Sequence, residues 1–236
     1  MTPSVKEHIA AALEATGNHV PLHRAFVGLP GRYDLVAAMQ FNLLTCLGLR
    51  EHHYLLDVGC GSLRAGRLFI PYLEPSHYCG IEPEHWLVAD GLDWETGRDL
   101  LRLKHPRFEY DGNFTLSIFG QQFDFIVAQS IFSHASQSQI RRCLSEAAKV
   151  LHPDGMFAVT YFQSDTDYMG EEWVYPGRSI YRPQFMHDVA AEHGLHCVHL
   201  EWPHPQGQTW MVFAHPDTVV PDLSGISRYI SYPTIP

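Results

Sequence analysis

Short apolar runs and longer amphipathic segments alternate along most of this chain, and that alternation constrains the fold more than any other feature. Residues 54–58, 78–81, 107–110, 123–128 and 156–162 read as strands, while 63–73, 85–103 and about 137–151 read as helices. Strands alternating with helices predict an α/β fold with a mostly parallel sheet and helical crossovers. A helix over about 182–193 then precedes two strand-like runs, 195–202 and 209–214, joined by a short Pro/Gly turn. Their spacing predicts an antiparallel C-terminal strand pair.

Upstream, Val5, Ile9, Ala12 and Leu13 recur at helical spacing, and Ser4 followed by Glu7 is a capping-box pattern. The stretch 17–32 carries Pro21, Gly28, Pro30 and Gly31, too many breakers for regular structure, and leads into a helix from Asp34, its expected N-cap, to about Leu47. Residues 1–50 therefore read as an N-terminal helical cover belonging to the same domain as the core, 51–215. The tail, 216–236, is expected to lie over the surface.

Charge and cysteine usage narrow the function classes. With 16 Lys and Arg against 26 Asp and Glu, the formal charge of −10 disfavours affinity gained by neutralising phosphates, so no nucleic-acid partner is expected. Cys46, Cys60, Cys79, Cys143 and Cys197 are scattered, with no CxxC pair and no signal peptide ahead of them, which points to the cytoplasm. No apolar run nears the roughly 18–20 residues that span a bilayer, so no membrane partner is expected. Homo-oligomerisation stays open. Among the histidines, His193, His196 and His199 suggest a metal site, but His196 and His199 fall three apart on a strand and point to opposite faces, so none is expected.

The densest signal is the strand 54–58 running into Gly59-Cys60-Gly61-Ser62, with a helix expected from near Leu63. Glycines there let the backbone turn tightly and approach a ligand, while helix N-terminal amides face an anionic group. About twenty residues on, the second strand ends in Glu82, where an acid can accept both hydroxyls of a ribose. A dinucleotide fold would need a third glycine where Arg64 stands, which disfavours an NAD(P)-dependent oxidoreductase.

The pattern Asp57-Val58-Gly59-Cys60-Gly61, with Gly80-Ile81-Glu82 after it, resembles the class I S-adenosylmethionine (SAM)-dependent methyltransferases, a Rossmann-like fold. Residues 123–130, 131–134 and 144–156 resemble that family's fourth strand, the segment after it, and its following helix, Pro/Gly turn and fifth strand. Leu63 departs from the family by standing where many members have a glycine. The resemblance implies SAM as cofactor, held by the backbone of Gly59, Cys60, Gly61 and Ser62, with Asp57 orienting the loop or the amine. It also implies Glu82 on the ribose, Pro83 against the adenine, Asp111 to Phe114, including Asn113, at the adenine edge, and Gln129 on the sulfonium side. Arg64 or Arg32 would pair with the methionine carboxylate.

Methyl transfer is an in-line displacement that asks mainly for alignment and exclusion of water. His134, just after the fourth strand, is the candidate base. Tyr33, Tyr161, Tyr168 and Trp173 are candidate acceptor contacts, the last two within a segment, 163–177, whose aromatics and acids suggest a small acceptor with a cationic or aromatic group. The expected activity is methylation of a small molecule at oxygen or nitrogen, carbon being a further option. A SAM-binding partner protein without turnover remains the alternative.

Overall fold

The computed structural model describes residues 4–17 and 19–227. Eight strands form one sheet: β1 (Leu55–Val58), β2 (Tyr78–Ile81), β3 (Arg107–Glu109), β4 (Phe123–Ala128), β5 (Leu151–Gln163), β6 (Ile180–Tyr181), β7 (His196–Leu200) and β8 (Thr209–Ala214). Their order is β3-β2-β1-β4-β5-β8-β7, with β6 paired to β5. Every residue of β1 and β2 is buried, which is why both read as continuous apolar runs rather than alternating ones.

Register follows from that burial. Leu55 sits opposite Tyr78 on β2 and Phe125 on β4, all in parallel. The chain steps outward from β1 to β3, then returns to β4 on the other side of β1. That reversal opens a crevice beyond the carboxyl ends of β1 and β4, where open α/β sheets hold their ligands. β8 runs antiparallel to β7, as the strand spacing predicted, and antiparallel to β5 as well.

Helices cover both faces. α7 (Gln137–Val150) and α8 (Pro183–Glu192) bury Ile140, Leu144, Met186 and Val189 on one side, whereas α3 (Tyr33–Cys46) and α4 (Gly66–Tyr72) bury Val36, Leu43, Phe69 and Ile70 on the other. α1 (Val5–Thr16) has the expected capping box: Ser4 Oγ accepts the Glu7 N–H, and the Glu7 carboxylate accepts the Ser4 N–H at 2.6 Å. None of its residues is buried.

Several boundaries differ from expectation. Residues 17–32 are not irregular throughout, for α2 (Leu22–Phe26) and a 3₁₀ turn (Pro30–Arg32) lie within them. Pro21 and Pro30 stand at the starts of these turns, where a missing N–H costs nothing. Asp34 is not the N-cap of α3. Arg32 is, and Asp34 in the first turn instead pairs with Arg67. α4 begins at Gly66 rather than near Leu63, because Leu63 is left-handed at φ 59° and cannot continue a right-handed turn.

The segment 85–103 is not one helix. It splits into α5 (His85–Asp90), a π-helical turn (Gly91–Thr96) and α6 (Asp99–Lys104), broken at Gly97 with φ 79°. β5 starts earlier than residue 156 because Leu151 already pairs with Phe123, and the Pro/Gly segment after it bulges out before Met156 pairs with Phe125. The tail does more than lie over the surface. Thr218 Oγ1 donates to the Pro153 carbonyl at 2.8 Å and Leu223 enters the core, ahead of α9 (Ser224–Ser227). The expectation for 228–236 lies outside the described residues.

Candidate active site

A cavity of about 540 Å³ occupies the crevice at the ends of β1, β2 and β4. That volume is within the range of pockets that enclose small molecules and cofactors. One half is built from the loops after β1, β2 and β3. Gly59 and Gly61 form its floor, Glu82 and Pro83 one wall, and Asp111, Gly112 and Phe114 its far edge.

The acid at the end of β2 ties two of these loops together. Glu82 Oε2 accepts the Gly61 N–H and Oε1 accepts the Glu84 N–H, both at 3.0 Å. Burial outweighs these two bonds and pushes the Glu82 carboxyl up to about 7, with Glu84 and Asp57 adding repulsion. Asp57 lies behind the loop, buried, accepting from Tyr78 Oη at 2.8 Å, and burial raises it to about 6.

Space around the loop requires glycine at two positions. Gly61 has φ 54°, and a Cβ there would stand 2.9 Å from Val27 Cγ1. Gly91 packs against the back of the loop, where a Cβ would fall 2.5 Å from the Ser62 carbonyl oxygen. The π-helical turn that begins at Gly91 thus packs its backbone against the loop's backbone, a placement in keeping with π-turns near functional sites.

The same turn aims Glu95 inward, where it anchors the N-terminal cover. Its Oε1 accepts from His23 Nε2 at 2.9 Å and Arg24 Nε at 2.6 Å, and its Oε2 from Arg24 Nη2 at 2.8 Å and Arg67 Nη1 at 3.5 Å. Burial alone would raise this carboxyl, but the bonds from Arg24 and His23 prevail and hold it below its ordinary value. Arg24 also lies 4.5 Å over the Tyr33 ring, and Tyr33 Oη donates to the Ser62 carbonyl at 3.0 Å. Cover and glycine loop are therefore one connected structure.

The other half of the cavity is aromatic. Trp173, His134, Tyr175, Phe26 and Trp86 form a chain of ring contacts with centroids 5.6, 5.0, 5.4 and 5.1 Å apart. Three bonds pin 173–179 onto the segment after β4: the Val174 N–H donates to the His134 carbonyl at 2.9 Å, the Ser179 N–H to Ser133 at 2.7 Å, and Ser179 Oγ to Phe132 at 3.0 Å. Tyr175 Oη donates to the Phe26 carbonyl, closing this segment onto the end of α2. His134 Nδ1 lies 2.6 Å from the Gly177 carbonyl, which can only accept, so Nδ1 carries the proton and Nε2 keeps a lone pair. Burial lowers the His134 pKa, so the ring is neutral at physiological pH.

Between the halves, Arg64 donates to the Val27 carbonyl at 2.7 Å and to Gln129 Oε1, while its Nε is buried without a partner. Burial lowers Arg64 to about 10, still protonated at neutral pH. Behind it, His204 meets Gln129 Nε2 at 3.1 Å, and burial, with Arg64 and Arg32 nearby, drives its pKa down to about 3.

Of the expected site residues, Gly59, Gly61, Arg64, Glu82, Pro83, Phe114, Gln129, His134 and Trp173 meet at this cavity. Others do not. Cys60 and Asp57 face a small chamber behind the loop, and Ser62 is fully buried with its hydroxyl 3.1 Å from Tyr33 Oη. Asn113 is exposed, its N–H donating to Asp111 Oδ1 at 2.8 Å. Tyr33 is 1% exposed beneath the loop and Tyr161 is 0% exposed in the core, so neither reaches an acceptor. Tyr168 packs against the core with its hydroxyl 3.4 Å from the Glu172 carbonyl, away from the cavity. Arg32 donates to the Pro205 carbonyl at 2.5 Å rather than facing the cavity.

Sequence reasoning missed Phe26, Trp86, Tyr175 and Lys6 on the cavity wall, and Glu95 behind it. Phe26 and Tyr175 sit in breaker-rich stretches without periodicity. The one available signal was the aromatic content of 163–177.

Residues 56–157 match the sequence model of a methyltransferase domain. Solved structures with similar backbones include magnesium protoporphyrin IX methyltransferase from Synechocystis PCC 6803 with bound SAM, at TM-score 0.60 and 10% identity over 91% of this chain and 98% of that one. DesVI of Streptomyces venezuelae gives 0.59 and 13% identity over 91% and 100% of the two chains. The glycopeptide N-methyltransferase MtfA complexed with S-adenosylhomocysteine (SAH) gives 0.60 and 12% over 91% and 100%. At such identities the likeness is one of fold. Residues 56–157 thus match a methyltransferase domain, and the sheet and helices around them share the fold of these SAM- and SAH-bound structures.

Proposed function

We propose that this chain methylates a small-molecule acceptor at oxygen or nitrogen, with His134 taking up the acceptor's proton. Bound SAM supplies a methyl group on a positively charged sulfur, and its transfer leaves SAH while the acceptor atom exchanges its proton for the methyl. The fit to SAM rests on the glycine cradle, which a Cβ at residue 61 would fill, and on the orphaned Arg64 Nε. In this reading Gly59 and Gly61 let the ligand approach the loop, Glu82 accepts the ribose hydroxyls, Pro83 and Phe114 flank the adenine, and Arg64 and Gln129 face the methionine end. Cys60, Ser62 and Asp57 shape the loop from behind, and Asn113 donates its N–H to Asp111 within the loop after β3.

The observation that carries the reading is the fixed tautomer of His134. Its Nδ1–H is committed to the Gly177 carbonyl, so the lone pair on Nε2 serves as base on the cavity side. A ring held through Nδ1 and flanked by Trp173 and Tyr175 needs no rearrangement when the acceptor arrives.

Replacing His134 with Gln is expected to leave SAH affinity intact and to slow turnover by about 10²–10⁴-fold. A screen of small molecules with methyl-labelled SAM identifies the acceptor, and single-turnover rates of the variant test the role of the base. Label transfer that persists at the unaltered rate in the variant would remove His134 from the chemistry. Label transfer to no acceptor, despite normal SAH binding, would favour the non-catalytic partner.

Glu82 provides a second test. The ribose diol is bound by the ionised carboxylate, whereas the unliganded protein holds the Glu82 proton up to about pH 7. Ligand must therefore displace a proton below that pH. SAH affinity is expected to be level above about pH 7.5 and to fall by up to ~10-fold per unit below about 7. Calorimetry across pH 5.5–8.5 on the wild type and on Glu82→Gln checks this. A profile that remains equally steep in the variant assigns the proton to another group, Asp57 being the buried carboxyl nearby that is also raised.

No helix among the described residues is long and apolar enough to cross a membrane.

A further inference from the structure

The turn that carries His134 takes its backbone partners from a distant part of the chain. Residues 132–135 lie between β4 and α7 in neither helix nor strand, so their carbonyls need donors from elsewhere. One segment supplies all four. Ser179 Oγ donates to the Phe132 carbonyl at 3.0 Å, the Ser179 N–H to Ser133 at 2.7 Å, the Val174 N–H to His134 at 2.9 Å and Tyr181 Oη to Ala135 at 2.6 Å. The same segment sends one carbonyl back, from Gly177 to His134 Nδ1 at 2.6 Å. Residues 174–181 are thus a strap laid across the turn.

Two residues decide where that returning carbonyl stands. Ser179 is 0% exposed, and both its N–H and its hydroxyl end on the turn, which fixes the strap two residues beyond Gly177. Val174 fixes it three residues before. Gly177 itself is confined between these points, since a Cβ there would stand 2.8 Å from the Val174 carbonyl oxygen. Any side chain at 177 therefore moves the backbone that presents the carbonyl. In a neutral histidine, the bond made by one ring nitrogen settles which nitrogen keeps the lone pair.

We infer that Gly177 and Ser179 are positioning residues for methyl transfer, acting through His134 by keeping its Nε2 lone pair free on the cavity side. Neither lines the cavity, so neither touches donor or acceptor. The inference rests on the methyltransferase reading above and adds the residues that set its base. Trp173 and Tyr175, the ring contacts of His134 at 5.6 and 5.0 Å, stand at the start of the same strap. Ring wall and base are consequently held in register by one piece of chain.

The tautomer is readable without any acceptor. Protein with isotope-labelled histidine rings, saturated with SAH at about pH 8, is followed by long-range proton–nitrogen correlation, which separates protonated from bare ring nitrogens. The His134 signals are those lost in His134→Gln. Wild type is expected to show a bare Nε2 and a protonated Nδ1. Gly177→Ala and Ser179→Ala are expected to move both signals toward their average as the second tautomer becomes populated, with SAH affinity unaltered. Ser179→Ala keeps its N–H bond to Ser133 and is the variant expected to fold should Gly177→Ala fail to. With methyl-labelled SAM and the acceptor that the screen returns, each variant is expected to turn over about 10-fold more slowly. A hydrogen bond that serves stability alone lowers the melting temperature and leaves the ring signals in place. Wild-type signals retained in a folded variant overturn the inference for that residue while leaving His134 as the base. A His134→Gln protein with unaltered turnover overturns the base reading and the inference with it.

Discussion

Glu95→Ala is expected to destabilise the protein by about 3 kcal/mol, because it removes the one carboxylate that His23, Arg24 and Arg67 share and leaves the two partly buried guanidiniums with Asp34 alone. For a chain of this size, that corresponds to a fall in melting temperature of about 10 °C. The sign of the pH dependence follows from the lowered carboxyl. A group whose pKa falls on folding stabilises above its unfolded value, about 4.3 for Glu, and loses that contribution as pH drops through the folded value. The difference between wild type and variant should accordingly be full at pH 7 and shrink below about pH 4. Thermal unfolding at pH 7 and pH 3.5 measures it, and an unchanged midpoint at pH 7 would mean that the cover is held by packing alone.

Gly61→Val is expected to weaken SAH binding by more than about 100-fold. Three costs coincide at one residue. Its φ of 54° is disfavoured for an L-residue by about 1–2 kcal/mol, more when the side chain is β-branched. The new Cβ meets Val27 at 2.9 Å, and the added methyls occupy the floor of the cavity. Any shift that relieves this contact also moves the Gly61 N–H away from Glu82. Calorimetry with SAH, paired with a thermal melt to establish folding, checks the outcome. A folded variant with near-normal affinity would mean that the ligand does not approach this turn.

These two residues also mark how far the chemistry was legible in the sequence. Gly61 and Glu82 were found because a strand, a tight turn and a second strand end are local patterns, each set by a few neighbouring residues. The parallel sheet, the antiparallel β7–β8 pair and the α1 capping box followed from periodicity for the same reason. Glu95 was not legible, since its role depends on a π-helical turn that reorients it and on partners 71 or 72 residues earlier in the chain. Tyr161 failed in the opposite direction. It is a strand residue near the mouth, but strand alternation turned its side chain into the core, where it is 0% exposed.

His134 shows both cases at once. Its place after β4 was readable from the order of the elements. Its tautomer was not, because the carbonyl that sets it belongs to Gly177, 43 residues further on.

In the aromatic half of the cavity, Phe26 and residues 173–175 stand in two short stretches outside the strands, whereas the loops of the other half grow directly from strand ends. A change in either ring-bearing segment alters no register in the sheet and no bond to Glu82. On the function proposed above, acceptor choice is therefore modular in this chain: substitutions in two short surface stretches change the ring wall, while the loops assigned to the methyl donor keep their geometry.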